Sequence, residues 1–301
     1  MNKFLAIAIA TFIVIGCQSQ RSPEKAIANC GDDGEFILIP KGEFIAGSDR
    51  TEQDYAYQIS AVATAKTPAD IPKEEQLLRQ KHWFDGEPSR QTISLPDFCI
   101  RRNLITNKDY QTFIKETGYS SPGISATDYQ KQGFLVHPYT EVQPYLWQNK
   151  NYPEGENKHP VVLVSYEDAR AFAEWKSQQN NYTYRLPTAQ EWEKAARSTD
   201  GRYFPWGNYW QNDATNFGGS DRDRTSAIAA YPLSQSPYGV EDMAGNVFEW
   251  TKTLTKRGEQ NRAILKGCSW DDLPGFCRSA YQHTRPIESR HILFGFRLVR
   301  E

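Results

Sequence analysis

The side chains best suited to chemistry in this 301-residue chain cluster in its last third. Cys268 and Cys277 stand nine positions apart with Ser269 and Asp272 between them, and a loop of that length can fold back and bring the two sulfurs together. Asp242 and Glu249 flank a turn at Ala244-Gly245-Asn246, whose glycine and asparagine tolerate backbone angles that other residues resist. Two carboxylates converging with carbonyl oxygens of an irregular loop are the hard ligands calcium prefers; a turn with merely solvated carboxylates is the alternative. A second loop offers Asn216, Asp221 and Asp223, although the interleaved Arg222 and Arg224 also suit an exposed acidic and basic loop. Five histidines are present, His82, His137, His159, His283 and His291, and none pair at i, i+4. Asp272 with His283 and His291 would make a two-histidine, one-carboxylate iron site, against the commoner solvent-exposed loop histidines. No Gly-x-Ser-x-Gly, phosphate-cradling glycine loop or zinc-type cysteine cluster occurs, and Ser269, with no base partner evident in sequence, reads as a turn hydroxyl.

Helices with clear start signals must position these groups. Thr106 with Asp109, Ser165 with Asp168, and Thr188 with Glu191 each have the spacing of a capping box. Trp192, Ala195 and Ala196 then form the apolar face of the third helix, where Glu191 caps and Glu193 is solvated or pairs with Arg197 at i+4. Phe36–Ile39 reads as a short strand closed by Pro40 and Gly42. Residues 49–92 are rich in charge, Gln and Pro, with a short helix at Lys73–Lys81, and a loop of that length is functional or disordered. Beyond residue 198, Gly, Pro, Asn, Asp and aromatic residues dominate, so strands there are expected to be short. Such a region needs bracing beyond backbone ladders, and bound calcium would supply it.

Composition sets the class. A hydrophobic fraction of 39% with 13% aromatics suffices for a core, and a net charge of −2 gives no sign of nucleic-acid binding. Lys3 and the apolar run Phe4–Ile15 lead to Val14-Ile15-Gly16-Cys17, which resembles a bacterial lipobox. Residues 1–16 are therefore expected to be a lipoprotein signal peptide, Cys17 the lipidated residue, and 17–33 a polar tether. Two or more acyl chains anchor stably where one does not. Gln18 after the cysteine resembles the outer-membrane sorting pattern, which places the domain outside the cytoplasm, facing the periplasm. With Cys17 lipidated, Cys30, Cys99, Cys268 and Cys277 allow two disulfides in three connectivities.

Motifs spread over residues 34–300 resemble the sulfatase-modifying-factor, or formylglycine-generating-enzyme, family. They run from Phe36–Phe44 with Gly47-Ser48, through Thr106-Asn107 with Tyr110, to Pro160–Ser165 with Asp168-Ala169. Arg185-Leu186-Pro187-Thr188 follows with Glu191-Trp192-Glu193 and Ala195-Ala196-Arg197, then Pro205-Trp206-Gly207 and the stretch 237–250. Gly267 with Ser269-Trp270, Cys277-Arg278-Ser279-Ala280 and Gly295-Phe296-Arg297 complete the series. The resemblance implies an α+β fold: one compact domain at 34–301 with C-type-lectin-like topology, little regular secondary structure and an enlarged insertion at about 49–92. It implies a calcium site from Asp242 and Glu249 with the Gly245 and Val247 carbonyls, and another from Asn216 and Asp223 with the Phe217 carbonyl. It also implies a recognition surface around Trp206, Phe248, Trp250, Ser269, Trp270 and Asp272. Members that oxidise cysteine to formylglycine use two cysteines five residues apart to hold copper(I), a soft ion suited to thiolates. The second aligns with Cys277 and the first with Asp272, a hard oxygen ligand, while Cys268 lies where the family usually has glycine. The expected role is therefore binding of an envelope protein or peptide by a lipid-anchored domain. The alternative is a metal-dependent oxidase that uses Cys268 and Cys277 with copper, or an oxygen–nitrogen iron site including Asp272.

Overall fold

In a computed structural model the described residues are 30–133, 136–220 and 222–301. The signal peptide, Cys17, most of the tether and Asp221 lie outside them. The chain opens with β1 (Phe36–Ile39) and β2 (Gly42–Ala46), then α1 (Arg50–Thr64), α2 (Ile71–Arg79), β3 (Gln91–Leu95) and β4 (Phe98–Arg101). Helices α3 (Asn107–Thr117), α4 (Ala126–Lys131), α5 (Tyr139–Val142) and α6 (Tyr166–Gln178) follow. Next come β5 (Tyr184–Arg185), α7 (Ala189–Arg197), β6 (Phe248–Arg257), β7 (Gln260–Lys266), β8 (His283–Pro286), β9 (Phe294–Gly295) and β10 (Val299–Arg300). One sheet has the order β1-β4-β10-β5, a second is the β2-β3 pair, and a third has the order β8-β7-β6-β9.

The capping boxes at α3, α6 and α7 form as the spacing predicts. Asp109, Asp168 and Glu191 each return a carboxylate to the backbone N–H of Thr106, Ser165 and Thr188, at 2.7–3.0 Å. Trp192, Ala195 and Ala196 pack α7 against Ile39, Phe98, Val240, Met243 and Val299. Tyr110 and Phe113 of α3 meet Phe172 of α6 and Phe296 in an aromatic core.

Two expectations change. The insertion at 49–92 holds a 15-residue helix, α1, ahead of the short helix that the sequence indicates. Asp49 caps it by accepting from Glu52 N–H, and β3 then pairs with β2. The strands after residue 198 are not all short, because β6 and β7 form a hairpin of 10 and 7 residues. Threonines at 251, 253 and 255 favour the extended backbone, and Gly258 takes the left-handed turn (φ +61°). Of the two places expected for Glu193, the i+4 pairing with Arg197 is the one found, and the carboxylate is buried, where it also bonds to Lys266 and the Gly47 N–H.

The disulfide connectivity is Cys30–Cys99 and Cys268–Cys277. Cys30 is thereby stapled to β4, and Asp33 pairs with Arg300 of β10 at 3.0 Å, so residues 30–33 are fixed to the first sheet. Replacing Cys30 and Cys99 together by serine should lower unfolding free energy by about 2–4 kcal/mol, read from urea denaturation.

Candidate functional site

The loop leaving β7 is drawn into a ring by the Cys268–Cys277 disulfide, with both sulfurs fully buried. Inside the ring the Asp272 carboxylate accepts from the Ser269 N–H at 2.8 Å and from the Ser269 hydroxyl in a short bond. The Asp272 carbonyl accepts from Gly218 N–H at 2.9 Å, which ties the ring to the Asn216–Asp223 loop. Burial pushes the Asp272 carboxyl up to about 6, against the Ser269 hydrogen bonds. Asp272 therefore braces the loop from within.

The insertion covers the other side of this ring. Ser60 Oγ accepts from Gly275 N–H at 3.0 Å, and a Cβ on Gly275 would lie 2.6 Å from the Ala56 carbonyl. Phe276 packs against Trp83, Phe84 and Tyr281 at 4.9–5.1 Å between ring centres. Next to Cys277, the fully buried Arg278 reaches Glu52 and Glu87.

Copper does not fit these residues. Both sulfurs are bonded to each other, so neither is the thiolate that a soft ion needs, and the residue five before Cys277 is an engaged carboxylate. Nor do Asp272, His283 and His291 form an iron site, since no cluster of three or more metal-ligating side chains occurs among the described residues. His283 stacks on Phe248 with ring centres 4.9 Å apart, and burial drives its pKa well below the ordinary value. His291 Nε2 is 3.0 Å from the Tyr129 hydroxyl, and burial holds this imidazole neutral with a pKa of about 3.

Asp242, Gly245 and Val247 lie on the buried loop that leads into β6, and Glu249 is the second residue of that strand. Glu249 receives Arg297 bidentately, Nε to Oε2 at 2.6 Å and Nη2 to Oε1 at 2.8 Å. Asp242 Oδ2 accepts from Ala229 N–H at 2.8 Å, and burial pushes this carboxyl up to about 6. A carboxylate offers about four lone-pair sites, so Glu249 can hold Arg297 and still ligate an ion. The donors are all hard oxygen, the ligand type calcium takes, and the Gly245 carbonyl also accepts from Val247 N–H at 2.9 Å. In the other loop Asn216 Oδ1 and the Phe217 carbonyl both receive the Ser220 hydroxyl, while Asp223 faces a surface cleft. That second set is committed to its own loop more heavily than the first.

The two features meet at Gly245. Its N–H points to Cys268 Sγ at 3.0 Å, and its φ is +76°. A Cβ there would lie 2.0 Å from Thr215 Oγ1 and 2.4 Å from the Asn216 carbonyl.

The expected recognition surface is mostly interior. Phe248, Trp250 and Ser269 are buried, because they pack under β8 and β9 and inside the disulfide ring; Trp206 is half-exposed, stacked on Phe204. Trp270, only 5% exposed, does line a cleft of about 460 Å³ with His137, Tyr145, Asp223, Arg224 and Asp271. His137 hydrogen-bonds Glu141 (Nδ1 to Oε2, 2.7 Å) and faces Asp271 in an ion-pair contact without hydrogen-bond geometry (Nε2 to Oδ2, 3.2 Å). In the sequence the only signal for this contact is the i, i+4 spacing of His137, just ahead of α5, and Glu141 within it.

Residues 22–301 match the sulfatase-modifying factor enzyme 1-like domain. The chain belongs to that family. It is 31% identical over 217 residues to the "Inactive C-alpha-formylglycine-generating enzyme 2" of Mus musculus, spanning 62% of this chain and 68% of that protein. It is 31% identical over 202 residues to the formylglycine-generating enzyme of Thermomonospora curvata, covering 55% of this chain and 63% of that one. With the hercynine oxygenase of Mycolicibacterium smegmatis it shares 26% identity over 299 residues, 89% of this chain and 62% of that one. Among solved structures, PvdO from Pseudomonas aeruginosa superposes with a TM-score of 0.60 at 22% identity, over 88% of this chain and 94% of PvdO. The α+β fold expected from the motifs is the one observed.

Gly245→Ala should destabilise by about 2–4 kcal/mol, since strain and overpacking act together. Thermal and urea unfolding, with a Gly258→Ala control at an open turn, would separate crowding from φ strain.

Proposed function

We propose that this protein is a binding member of its family: a domain held at the membrane by lipid on Cys17 that captures a protein or peptide of the cell envelope. The observation that carries this reading is the pairing of Cys277 with Cys268, and the motif resemblance aligns Asp272 with the first copper cysteine. An oxidase of the copper type needs both thiolates together, and here one sulfur is spent in a disulfide and the other ligand is an oxygen. Similarity to a relative named inactive supports the same reading. The lipobox supports the anchor, and no helix among the described residues is long and apolar enough to cross a membrane.

Calcium has a structural part in this proposal. Asp242 and Glu249 with the Gly245 and Val247 carbonyls would hold one ion, and Asn216, Phe217 and Asp223 a second. Ion binding at the first loop would supply the charge that the desolvated Asp242 carboxyl lacks and would brace the turn that touches Cys268.

Purified native protein given copper(I), oxygen and a cysteine peptide should consume no oxygen and form no aldehyde by mass spectrometry; peptide aldehyde would overturn the binding reading. The double variant Cys268→Gly/Asp272→Cys restores two thiols five residues apart and should gain copper(I) binding that the native protein lacks. Cys17→Ala should move the protein from the membrane to the soluble fraction.

The pH dependence of the Asp242 loop has a defined sign. A carboxyl with a folded pKa of about 6 and an ordinary value of 3.8 binds its proton more tightly in the folded chain. Its contribution to stability is present below about 4 and is lost as pH rises through about 6. Urea midpoints without divalent ions should fall over that window relative to Asp242→Asn. Added calcium should remove the difference, and an unchanged midpoint would argue against an ion at this loop.

A further inference from the structure

We propose that His137 is a proton-dependent latch that fastens the segment carrying α5 to the Ser269–Asp272 turn and so controls access to the cleft beside Trp270. The ring is placed for this by its two nitrogens. Nδ1 meets Glu141 on the segment's own helical turn at 2.7 Å, and Nε2 meets Asp271 on the turn of the disulfide ring at 3.2 Å. Only the imidazolium is attracted to both carboxylates at once; a neutral ring can keep the Nδ1–H bond to Glu141 but has no charge with which to hold Asp271. The two carboxylates are half-exposed at the cleft rim while the His137 side chain is only 8% exposed, so the ring joins the α5 segment to the turn of the disulfide ring, beside its packing on Trp270.

The groups packed around His137 leave it as the one that switches. Trp270 lies 5.1 Å from it ring to ring, and Tyr129 of α4 donates its hydroxyl to the His137 carbonyl at 3.2 Å. His291 lies 5.8 Å away and is held neutral by burial, so it does not compete for the proton. Asp223 and Arg224 form the far wall of the cleft, where Arg224 is already paired with Glu156. Burial alone would depress the His137 pKa, and the bonds to Asp271 and then Glu141 outweigh it and raise the value. A raised histidine pKa gives a bridge that is complete below about 6.5 and is lost as pH rises through the higher folded value. The cleft therefore opens toward alkaline pH. This inference does not depend on the partner-binding reading, because it is read on the protein alone.

The test is hydrogen exchange by mass spectrometry on the native protein, followed from pH 6 to pH 9 and corrected for intrinsic exchange rates, with the His137 imidazole titrated by NMR in parallel. Protection of residues 136–146 and 268–272 should fall together as the His137 resonance titrates above 6.5. Glu141→Gln, at the exposed rim, should lower the His137 pKa by removing one carboxylate and shift the loss of protection to lower pH. His137→Gln should abolish the pH dependence. If His137 titrates at or below 6.5, or if the two segments lose protection at different pH values, or if Glu141→Gln leaves both titrations unmoved, the latch is wrong.

Discussion

The structure depends on a buried net of ionic groups that joins four parts of the chain. Glu52 of α1 meets Arg197 of α7 at 3.1 Å and Arg278 of the disulfide ring at 3.4 Å. Arg197 also meets Glu193, which bonds to Lys266 at the end of β7, and Glu87 closes the net on Arg278. The side chains of Glu52, Arg197, Lys266 and Arg278 have no exposed surface. Removing such ions from water costs several kcal/mol each, and only close, saturated hydrogen bonding offsets that cost. The carbonyls of Gly47, Arg202, Gly201 and Gly275 supply it, each taking a guanidinium N–H. A net of this kind fixes geometry more than it adds stability. Loss of any one member would strand its partners in an apolar interior.

That geometry shields the disulfide ring. Arg278 follows Cys277 directly, so the net holds one end of the ring, and Gly245 N–H and Gly218 N–H hold the other through Cys268 and Asp272. The insertion then lies over Gly275 and Phe276. Exchange with an outside thiol requires in-line access to a sulfur, which full burial denies. The ring thereby presents Trp270 and Asp271 to the cleft.

Local chemistry was legible in the sequence, and long-range charge was not. Capping boxes at Thr106, Ser165 and Thr188, and the turn at Gly245-Asn246, depend on neighbours within a few positions, and each is present. Helix α1 was missed because its buried face includes Glu52 and Ser60 beside Ala56, Tyr57 and Ala61. A search for apolar periodicity scores Glu52 as exposed, and only its partners Arg90, Arg197 and Arg278, all distant in sequence, make it interior. The same limit hid the place of Arg297 on Glu249 and the bridge from His137 to Asp271. Phe248, Trp250 and Ser269 were placed at a surface because residue type alone does not say which side of a loop-built layer faces solvent.

The pairing of substitutions in the ring has a chemical logic of its own. The motif resemblance places glycine where Cys268 stands and cysteine where Asp272 stands. Had the cysteine at 268 been gained with one still at 272, three thiols would share a loop of ten residues, and oxidation would leave one odd sulfur and interchangeable pairings. Exchange among them would be fast, since loop closure over so short a chain has little entropic cost to distinguish one partner from another. Asp272 removes that ambiguity and, by accepting from both the N–H and the hydroxyl of Ser269, gives the ring the fixed turn that one disulfide alone does not impose. A loop that can hold a reactive thiol pair and a loop that cannot exchange are thus separated by two positions, and this chain has the second at both.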